Sequence, residues 1–303
     1  MLECAVADDL EIQEAFRQVH AVWPHDPDPA RHLALRLASI QHQRATWFVG
    51  KKAGRVVTSL GAYPYHAFGP DGLRPVRVLG AVFTLATERA HGYAGQLIRW
   101  VLQYFRDRGV GHFALFSDIG THYYQSFGFQ ALPSFEWEIP VGTEISAEDR
   151  EITSWSAPTP MQPGPMGCAF GFDRLADEQA WMWAKQGNIR LSRWQALGSS
   201  SSFWLLSRRG GEGAYILLES NLPQESPHWE QFRRVVQADA RRYGESRAQG
   251  WWTSSEAHPG AAQAEILPRD KEIFMWLNVR GGVDSWFQAM KDQSFRVFLS
   301  EHV

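Results

Sequence analysis

The sequence predicts an α/β (α+β) protein, with a mixed sheet that has helices on both faces and a smaller α+β domain after it. Strand-like apolar runs alternate with helical patterns over the first ~140 residues. A proline-rich stretch then interrupts this alternation. Beyond it, a hairpin pattern, an amphipathic helix and a late strand recur in the order seen in the first part.

The bulk composition is that of a soluble globular protein. The chain has 303 residues, 44% of them hydrophobic and 21% charged, which is enough for two domains with their own cores. The net charge of −3 gives no indication of a nucleic-acid partner. Cys4 and Cys168 are far apart in sequence, which favours a reducing, cytoplasmic location over a disulfide framework. Neither a signal peptide nor an apolar run of about 20 residues occurs, so we expect no membrane contact.

Apolar periodicity predicts the first elements. Residues 8–20 have helical spacing, and three prolines in residues 23–29 end that helix. A second helix is predicted over about 30–43. The runs 47–49 and 55–60, separated by a glycine, predict a hairpin.

The rest of the first domain alternates strands and helices. A long strand is predicted over 76–85, followed by a helix over 92–108 and a strand over 112–116. A short helix over 121–127 ends at a glycine. The run 135–139 predicts the strand that closes this domain.

Composition predicts the domain boundaries. Prolines and small polar residues predict a connection at 143–167, between a first domain at 1–142 and a second at 168–303. In the second domain, the runs 203–207 and 214–218 flank a glycine-rich tip and predict a hairpin. A helix begins near Trp229 and a late strand covers 273–279.

The turn between the long strand and the next helix is suited to bind an anion. Gly92 stands where the helix begins, and glycine lets a ligand approach the backbone closely. The first helical N–H groups have no internal partners, and the helix dipole favours negative charge there. The alternative is a glycine-containing turn that binds nothing.

A second motif downstream supports the interpretation that this turn binds a cofactor. At this point the sequence resembles the GNAT superfamily, whose cofactor loop reads Gln or Arg, two residues, Gly, one residue, Gly or Ala. That loop is matched by Arg89, Gly92 and Ala94. The Tyr-three-residues-Gly-Phe pattern of the superfamily's next helix is matched by Tyr124, Gly128 and Phe129. The resemblance is good over residues 76–130 and otherwise extends only to layout.

The resemblance implies a GNAT mixed sheet, a half-GNAT-like second domain and acetyl-coenzyme A as cosubstrate. Backbone groups that bind the pantetheine arm would be those of Val82, Phe83 and Thr84. Residues around the pyrophosphate would be Arg89, Ala90, His91, Gly92, Tyr93, Ala94 and Gly95. Ser117 stands where the superfamily often has a polar group near the cofactor, although it can also serve as a cap.

Two residues are the candidates for proton transfer. Tyr124 is the candidate general acid, because a phenol with a pKa near 10 can protonate a departing thiolate with a pKa near 8.5. The alternative is that it only packs, which is the preferred interpretation for the adjacent Tyr123. Asp118 is the candidate base, with capping of the following helix as the alternative. His66, in a predicted loop, is a weaker candidate.

A narrower resemblance suggests the substrate. The segments 82–94 and 115–120 are similar to the yeast lysine N-acetyltransferase group, which makes a small-molecule amine such as L-lysine the first hypothesis for the acceptor. That group often has proline at the position of Leu85 and a basic residue at that of Ala90. The second change removes a charge that could contact a phosphate.

Other functions stay open. The acceptor is alternatively a protein or peptide amine, or the chain is a regulatory module that binds acetyl-coenzyme A without turnover. A dinucleotide-binding oxidoreductase is disfavoured, because the first two glycines of that fingerprint are missing. No metal site is expected, since His20, His25 and His32 lack a completing ligand set. We expect the second domain to cover the acceptor side and to restrict the size of the acceptor. Its deletion would then leave acetyl-coenzyme A binding partly intact and abolish discrimination among amines. The oligomeric state is not predicted.

Overall fold

The computed structural model describes residues 1–142, 149–151, 170–173, 189–196, 202–220, 229–252, 264–280, 284–292 and 295–296. The helices are α1 (Asp9–Val19), α2 (Pro29–Ala38), α3 (Ile40–Arg44), α4 (Tyr93–Arg106), α5 (His122–Gln125), α6 (Trp229–Arg242) and α7 (Ser285–Asp292). No helix in these ranges is both long and apolar enough to cross a bilayer.

The strands divide at the middle of the chain. Those of the first half are β1 (Glu3–Val6), β2 (Thr46–Lys52), β3 (Arg55–Gly69), β4 (Gly72–Thr84), β5 (His112–Ser117), β6 (Gln130–Ala131) and β7 (Phe135–Pro140). Those of the second half are β8 (Asp149–Glu151), β9 (Phe170–Asp173), β10 (Ile189–Ala196), β11 (Ser202–Arg209), β12 (Ala214–Ser220), β13 (Arg247–Trp252), β14 (Glu265–Pro268), β15 (Ile273–Asn278) and β16 (Phe295–Arg296).

The N-terminal helices follow their local signals. Asp8 and Glu11 form a capping box at the start of α1, which buries Ala15, Phe16 and Val19. The prediction of a single helix over 30–43 is wrong. The backbone is extended at Ser39, whose side chain caps α3 and so divides the segment into α2 and α3.

The first sheet contains the predicted hairpin and one that the sequence pattern missed. β2 pairs with β3 as expected. β3 then runs to Gly69 and pairs with β4 from Gly72, so His66 lies in a strand and not in the predicted loop. Pro64 interrupts the pattern that would have predicted this. It is accommodated because β2 ends opposite Ala62 and β9 begins opposite His66, so the missing N–H falls between two partners.

The two sheets exchange strands. Within the described residues, the first sheet has the order β1-β2-β3-β4-β5-β15-β6, so β15 from the second half lies between two strands of the first. The second has the order β14-β7-β13-β12-β11-β10-β8. The prediction that 135–139 closes the first sheet is therefore wrong: β7 pairs with β13 and β14. The boundaries at 1–142, 143–167 and 168–303 stay a prediction, with both sheets spanning them.

The two faces of the first sheet bury different cores. On one face α4 packs with Leu97, Ile98 and Val101 against a core that also contains Tyr124 and Met275. The opposite face is covered by an aromatic core to which both halves contribute. Its large members include Phe16, Trp47, Tyr63, Trp251, Phe274, Trp276 and Trp286.

The exchanged strand makes the first sheet depend on the second half of the chain. We therefore expect Met275→Ala to lower the free energy of unfolding by about 2–5 kcal/mol, because it empties a fully buried site beside α4 and Tyr124. The measurement is urea unfolding followed by tryptophan fluorescence. Leu267→Ala, at an exposed position of β14, is the control. Equal effects of the two substitutions would show that β15 does not support the first core.

Candidate active site

The centre of the site is the place where β4 and β5 separate. The two strands are parallel and pair from Val76↔His112 to Leu79↔Leu115. Both strands continue beyond this point, β4 to Thr84 and β5 to Ser117, without further pairing to each other. The sheet therefore has an opening at the carboxyl ends of these strands, with main-chain groups on its β4 side.

A β-bulge in β4 accompanies the separation. Ser59↔Phe83 and Gly61↔Gly80 are successive partners, so β4 has one residue more than β3 in this interval. Ala81, within the bulge, has φ 50°, a left-handed conformation that is unfavourable for a residue with a Cβ. The conformation is held by pairing to β3 on both sides of the bulge.

Hydrogen bonding beyond the bulge determines which backbone groups face the opening. The Leu85 N–H donates to the Val57 carbonyl of β3 at 3.0 Å, an ordinary hydrogen-bond distance. Because successive residues of a strand direct their N–H and C=O groups to alternate edges, those of Val82 and Thr84 point away from β3 and towards β5. Val82 and Thr84 thus fit the predicted role of binding an extended ligand arm.

Phe83 does not fit that role. By the same alternation its backbone groups face β3, and its carbonyl accepts a hydrogen bond from Thr58 Oγ1 at 2.7 Å. Thr84 Oγ1 donates to Thr58 Oγ1 at 3.0 Å. Thr58 could not be predicted from the sequence, since a threonine in a predicted strand carries no signal of its own. Its buried hydroxyl fixes the end of β4 beside the opening.

The turn before α4 has the backbone geometry expected of the predicted anion cradle. Ala90 and Gly92 both have left-handed backbones, with φ 65° and 73°. Gly92 is the N-cap of α4 without a side-chain cap, and a Cβ placed there would meet nothing within 4 Å. Gln96 N–H is the first to bond back to the Gly92 carbonyl, so the amides of Tyr93, Ala94 and Gly95 precede the helical ladder. These free donors at a helix N-terminus suit a pyrophosphate.

Side chains around the cradle hold the loop in shape. His91 Nδ1 lies 2.9 Å from the Arg89 carbonyl and 3.2 Å from that of Glu88. Both partners are acceptors, so Nδ1 carries the proton. The ring stacks on Tyr93 at 5.5 Å. Arg89 Nε donates to the Thr84 carbonyl at 3.3 Å, which links the cradle to β4.

Lys52 anchors the cradle from β2. Its Nζ pairs with the Glu88 carboxylate at 2.9 Å and lies 5.7 Å from the centroid of the Tyr93 ring. The pair holds the pKa of Glu88 below its usual range through the hydrogen bond from Lys52. Sequence reasoning did not single out Lys52, because it is 36 residues from its partner.

Gly95 has a packing role in addition to its amide. A Cβ at this position would lie 3.2 Å from the Phe127 ring and 3.7 Å from Tyr123 Oη. The start of α4 therefore approaches α5 closely only because residue 95 has no side chain. This contact brings the cradle and the segment that contains Tyr124 together.

Tyr124 lies on the α4 side of the sheet, in the same core as Leu79 and Leu115, the last β4–β5 pair. Its ring contacts Tyr123 at 5.0 Å, and its side chain is 8% exposed. Burial, with smaller contributions from Tyr123 and Asp118, raises the pKa of Tyr124 well above its ordinary value. The hydroxyl is consequently protonated throughout the neutral range.

Asp118 and Ser117 follow the unpaired end of β5. Asp118 is exposed, and its charge contributes to the raised pKa of Tyr124, so the structure brings the two candidate proton-transfer residues into one region. The N-cap of α5 is Thr121, not Asp118. Ser117 is buried, and its hydroxyl donates to the Gly120 carbonyl, so its side chain stabilises the turn after β5.

Comparison with known proteins identifies the class to which this geometry belongs. Residues 5–132 match the family model described as an acetyltransferase (GNAT) domain. They include the separated strands, the cradle and Tyr124. This part of the chain is therefore similar to a GNAT acetyltransferase domain, and the match supports an acyltransferase that uses acetyl-coenzyme A.

Solved structures show the same fold over nearly the whole chain. A conserved protein from Enterococcus faecalis V583, described as a probable N-acyltransferase, has a TM-score of 0.71 at 13% identity, covering 92% of this chain and 72% of that one. A GCN5-related N-acetyltransferase from Anabaena variabilis has a TM-score of 0.64 at 14% identity, covering 92% and 73%. One from Kribbella flavida has 0.60 at 12%, covering 92% and 72%.

The narrower resemblance to the yeast lysine N-acetyltransferase group has no support in these comparisons. No curated protein has a sequence that matches the chain significantly. The structural relatives share 14% identity or less, which establishes a common fold and not a common acceptor. The acceptor therefore has to be argued from this chain's own residues.

The residues present fit acetyl-coenzyme A. Gly92 leaves open space where a Cβ would otherwise stand, and the cradle offers amides that precede the helical ladder. The opening past Leu79↔Leu115 exposes the edge of β4 to an extended arm. When bound, the cosubstrate supplies an acetyl group activated as a thioester.

The cradle gives a direct test of cofactor binding. We expect Gly92→Val to weaken coenzyme A binding about tenfold or more, because a β-branched residue disfavours φ 73° and would shift the amides of the first turn. The measurement is isothermal titration calorimetry with coenzyme A. Gly142→Val, at a glycine that has open space and no left-handed φ, is the control. Unchanged affinity in Gly92→Val would exclude the cradle as the pyrophosphate site.

Proposed function

We propose that the protein transfers the acetyl group of acetyl-coenzyme A to the amine of a small molecule, with L-lysine or another amino acid as the first candidate acceptor. The observation that carries the proposal is the arrangement at the end of β4 and β5. An unpaired strand edge, an anion cradle and a protonated buried tyrosine occur there together.

The strand edge would provide electrostatic stabilisation. The Val82 N–H is the proposed donor to the oxygen of the thioester carbonyl, where negative charge develops as the amine adds. Removing one such preorganised donor typically costs about 3–4 kcal/mol of transition-state stabilisation. Holding the amine beside the acetyl group would lower the entropic barrier as well.

Tyr124 would protonate the departing sulfur. The raised pKa keeps the donor present at all neutral pH values, although it makes the phenol a weaker acid than an ordinary tyrosine. Asp118 is the proposed acceptor of the proton that the acceptor ammonium loses before the free amine attacks. Asp118 would take this proton directly or through a water molecule, and its exposed position after β5 allows the proton to pass on to solvent.

A small acceptor is favoured over a protein by what covers the sheet. On the face opposite α4, residues from both halves close over the strands, including Trp251, Phe172 and Trp286. A folded protein or long peptide would need a more open surface on this side. The coverage also supports the expected role of the second half in limiting acceptor size.

Given the observed fold, deleting the second half of the chain would disrupt the first sheet as well as uncover the acceptor side. Because β15 pairs with both β5 and β6, such a deletion would remove a central strand of the first sheet. The deletion is therefore no longer a clean test of acceptor discrimination, and point substitutions are used instead.

The test of the function is coenzyme A release from acetyl-coenzyme A, with L-lysine heading a panel of free amines and with peptide amines as a second panel. We expect release that depends on a free amine. Release only with peptides would support the protein-acceptor alternative. Tight coenzyme A binding without release from any amine would support the regulatory alternative and contradict turnover.

Tyr124→Phe tests the proposed acid. We expect kcat to fall about 100-fold or more, because the proton donor to the thiolate is lost. Coenzyme A affinity measured by calorimetry should change less than about twofold, since the ring and its packing remain. Tyr123→Phe, which removes the neighbouring hydroxyl on the same helix, is the control and should retain activity. Similar kcat values for the two variants would exclude Tyr124 as the acid.

The pH profile of the wild-type enzyme provides an independent check. We expect kcat/KM to rise with pH as the acceptor amine, with an ordinary pKa near 10.4, loses its proton. No decline from Tyr124 ionisation is expected below about pH 10, because burial raises the pKa of that hydroxyl above its ordinary value. A decline in kcat/KM between pH 8 and 10 that is absent in Tyr124→Phe would contradict a raised pKa of the Tyr124 hydroxyl.

A further inference from the structure

An aromatic side chain stands at the closed end of the opening between β4 and β5. Pairing of the two strands ends at Leu79↔Leu115, and Phe116 is the next residue of β5. Its half-buried ring packs on the face opposite α4. On the other side of the opening Ala81, in the bulge of β4, packs against the same core. Phe116 is therefore much the larger of the two side chains that flank the opening on this face.

The ring of Phe116 is held in place from behind. Its centroid lies 5.8 Å from that of the Trp251 ring and 5.4 Å from that of the Phe274 ring. Phe274 is also the direct cross-strand partner of Phe116 in β15. Both neighbours are buried, and protein interiors are densely packed. The ring of Phe116 therefore cannot turn away from the opening without displacing them, and the three rings form an aromatic wall.

The position of the cradle relates this wall to the acyl group of the cosubstrate. The cradle lies between the carboxyl end of β4 and the start of α4. An arm bound to both the cradle and the β4 edge would therefore run from the open ends of the strands towards their last pair. A longer acyl group would extend further in that direction. Its distal carbons would meet the buried pair Leu79↔Leu115 and the ring of Phe116.

We propose that Phe116 sets the acyl-chain limit of the enzyme, so that acetyl is transferred and butyryl and longer groups are excluded. This inference rests on the proposed function and specifies its acyl donor. Trp251 comes from β13, so the second half of the chain contributes to the limit by supporting the ring.

The packing of the wall supports a steep dependence on chain length. Extra methylene groups in a well-packed region force side chains out of their preferred conformations, which is unfavourable. One methylene at a hydrophobic site is typically worth about 10–200-fold in kcat/KM. The alternative is that the ring of Phe116 borders the acceptor amine, and the experiment distinguishes the two.

The test compares acetyl-, propionyl- and butyryl-coenzyme A as donors to one amine that wild type uses. We expect kcat/KM of wild type to be about 100-fold or more higher with acetyl than with butyryl. In Phe116→Ala this ratio should fall below about tenfold, because the side chain that blocks the longer group is gone. Phe116→Leu removes less volume and should admit propionyl while it still disfavours butyryl.

Binding without an amine gives a second readout that does not depend on turnover. Isothermal titration calorimetry is carried out with coenzyme A, acetyl-coenzyme A and butyryl-coenzyme A. Wild type should bind butyryl-coenzyme A about tenfold more weakly than acetyl-coenzyme A, and Phe116→Ala should bind the two equally. Affinity for coenzyme A itself should change less than about twofold in either variant, since the cradle is unaltered.

Phe287→Ala is the matched control. Phe287 is also half-buried and packs against the same core, from α7. The adjacent Trp286 stacks on His112, the first residue of β5, so this packing lies at the other end of the strand. The control should keep the wild-type preference for acetyl while it loses a similar packing contact. Thermal unfolding checks the fold of each variant, and Phe116→Leu decides if Phe116→Ala does not fold.

The outcomes that overturn the limit differ from a failure of the proposed function. Equal use of acetyl and butyryl by wild type, or an unchanged ratio in the folded Phe116 variants, would overturn the proposal. A changed preference among amines with an unchanged donor ratio would assign Phe116 to the acceptor and overturn it as well. If no amine supports release from any donor, the proposed function fails, and the affinities for acetyl- and butyryl-coenzyme A decide on the limit.

Discussion

The separation of β4 from β5 is the constraint on which the rest of the site depends. Pairing ends at Leu79↔Leu115, while both strands continue. Unpaired strand groups are costly unless water or a ligand satisfies them, at about 1–3 kcal/mol for each buried group. The bulge at Ala81 turns Val82 and Thr84 into this opening, and Thr58 binds the Phe83 carbonyl from the other edge. A site for an extended ligand therefore arises from main-chain geometry, with few demands on side-chain identity.

The second constraint is the exchange of strands between the halves. β15 completes the first sheet and β7 the second, so neither sheet is formed by one half alone. The junction brings Trp251, Phe274 and Trp276 onto the face opposite α4, where they form a core with Tyr63 and Tyr65. The same arrangement that stabilises the first sheet closes its acceptor side, which links the fold directly to the proposed size of the substrate.

Local signals explain which parts of the fold the sequence predicts. The helix over 8–20, the hairpin between β2 and β3, and α4 with its amphipathic face all depend on residues close in sequence, and each prediction is confirmed. The motif around Gly92 and Tyr124 could be found for the same reason. The interruption at Ser39 was missed because serine is tolerated within a helix and caps one equally well.

Strand partners cannot be predicted in this way. The run 273–279 has the pattern of a strand, but nothing in it specifies pairing with β5, about 160 residues earlier, instead of with a neighbour. The error over 135–139 has the same cause.

The central claim is that the opening past Leu79↔Leu115 and the cradle before α4 form one binding site for acetyl-coenzyme A. Residue-resolved amide hydrogen exchange with and without coenzyme A tests this most directly. The account predicts increased protection at Val82, Thr84 and the amides of residues 90–95, with little change at Phe83, which already bonds to β3. Protection confined to other strands, with Val82 and residues 90–95 unaffected, would contradict it.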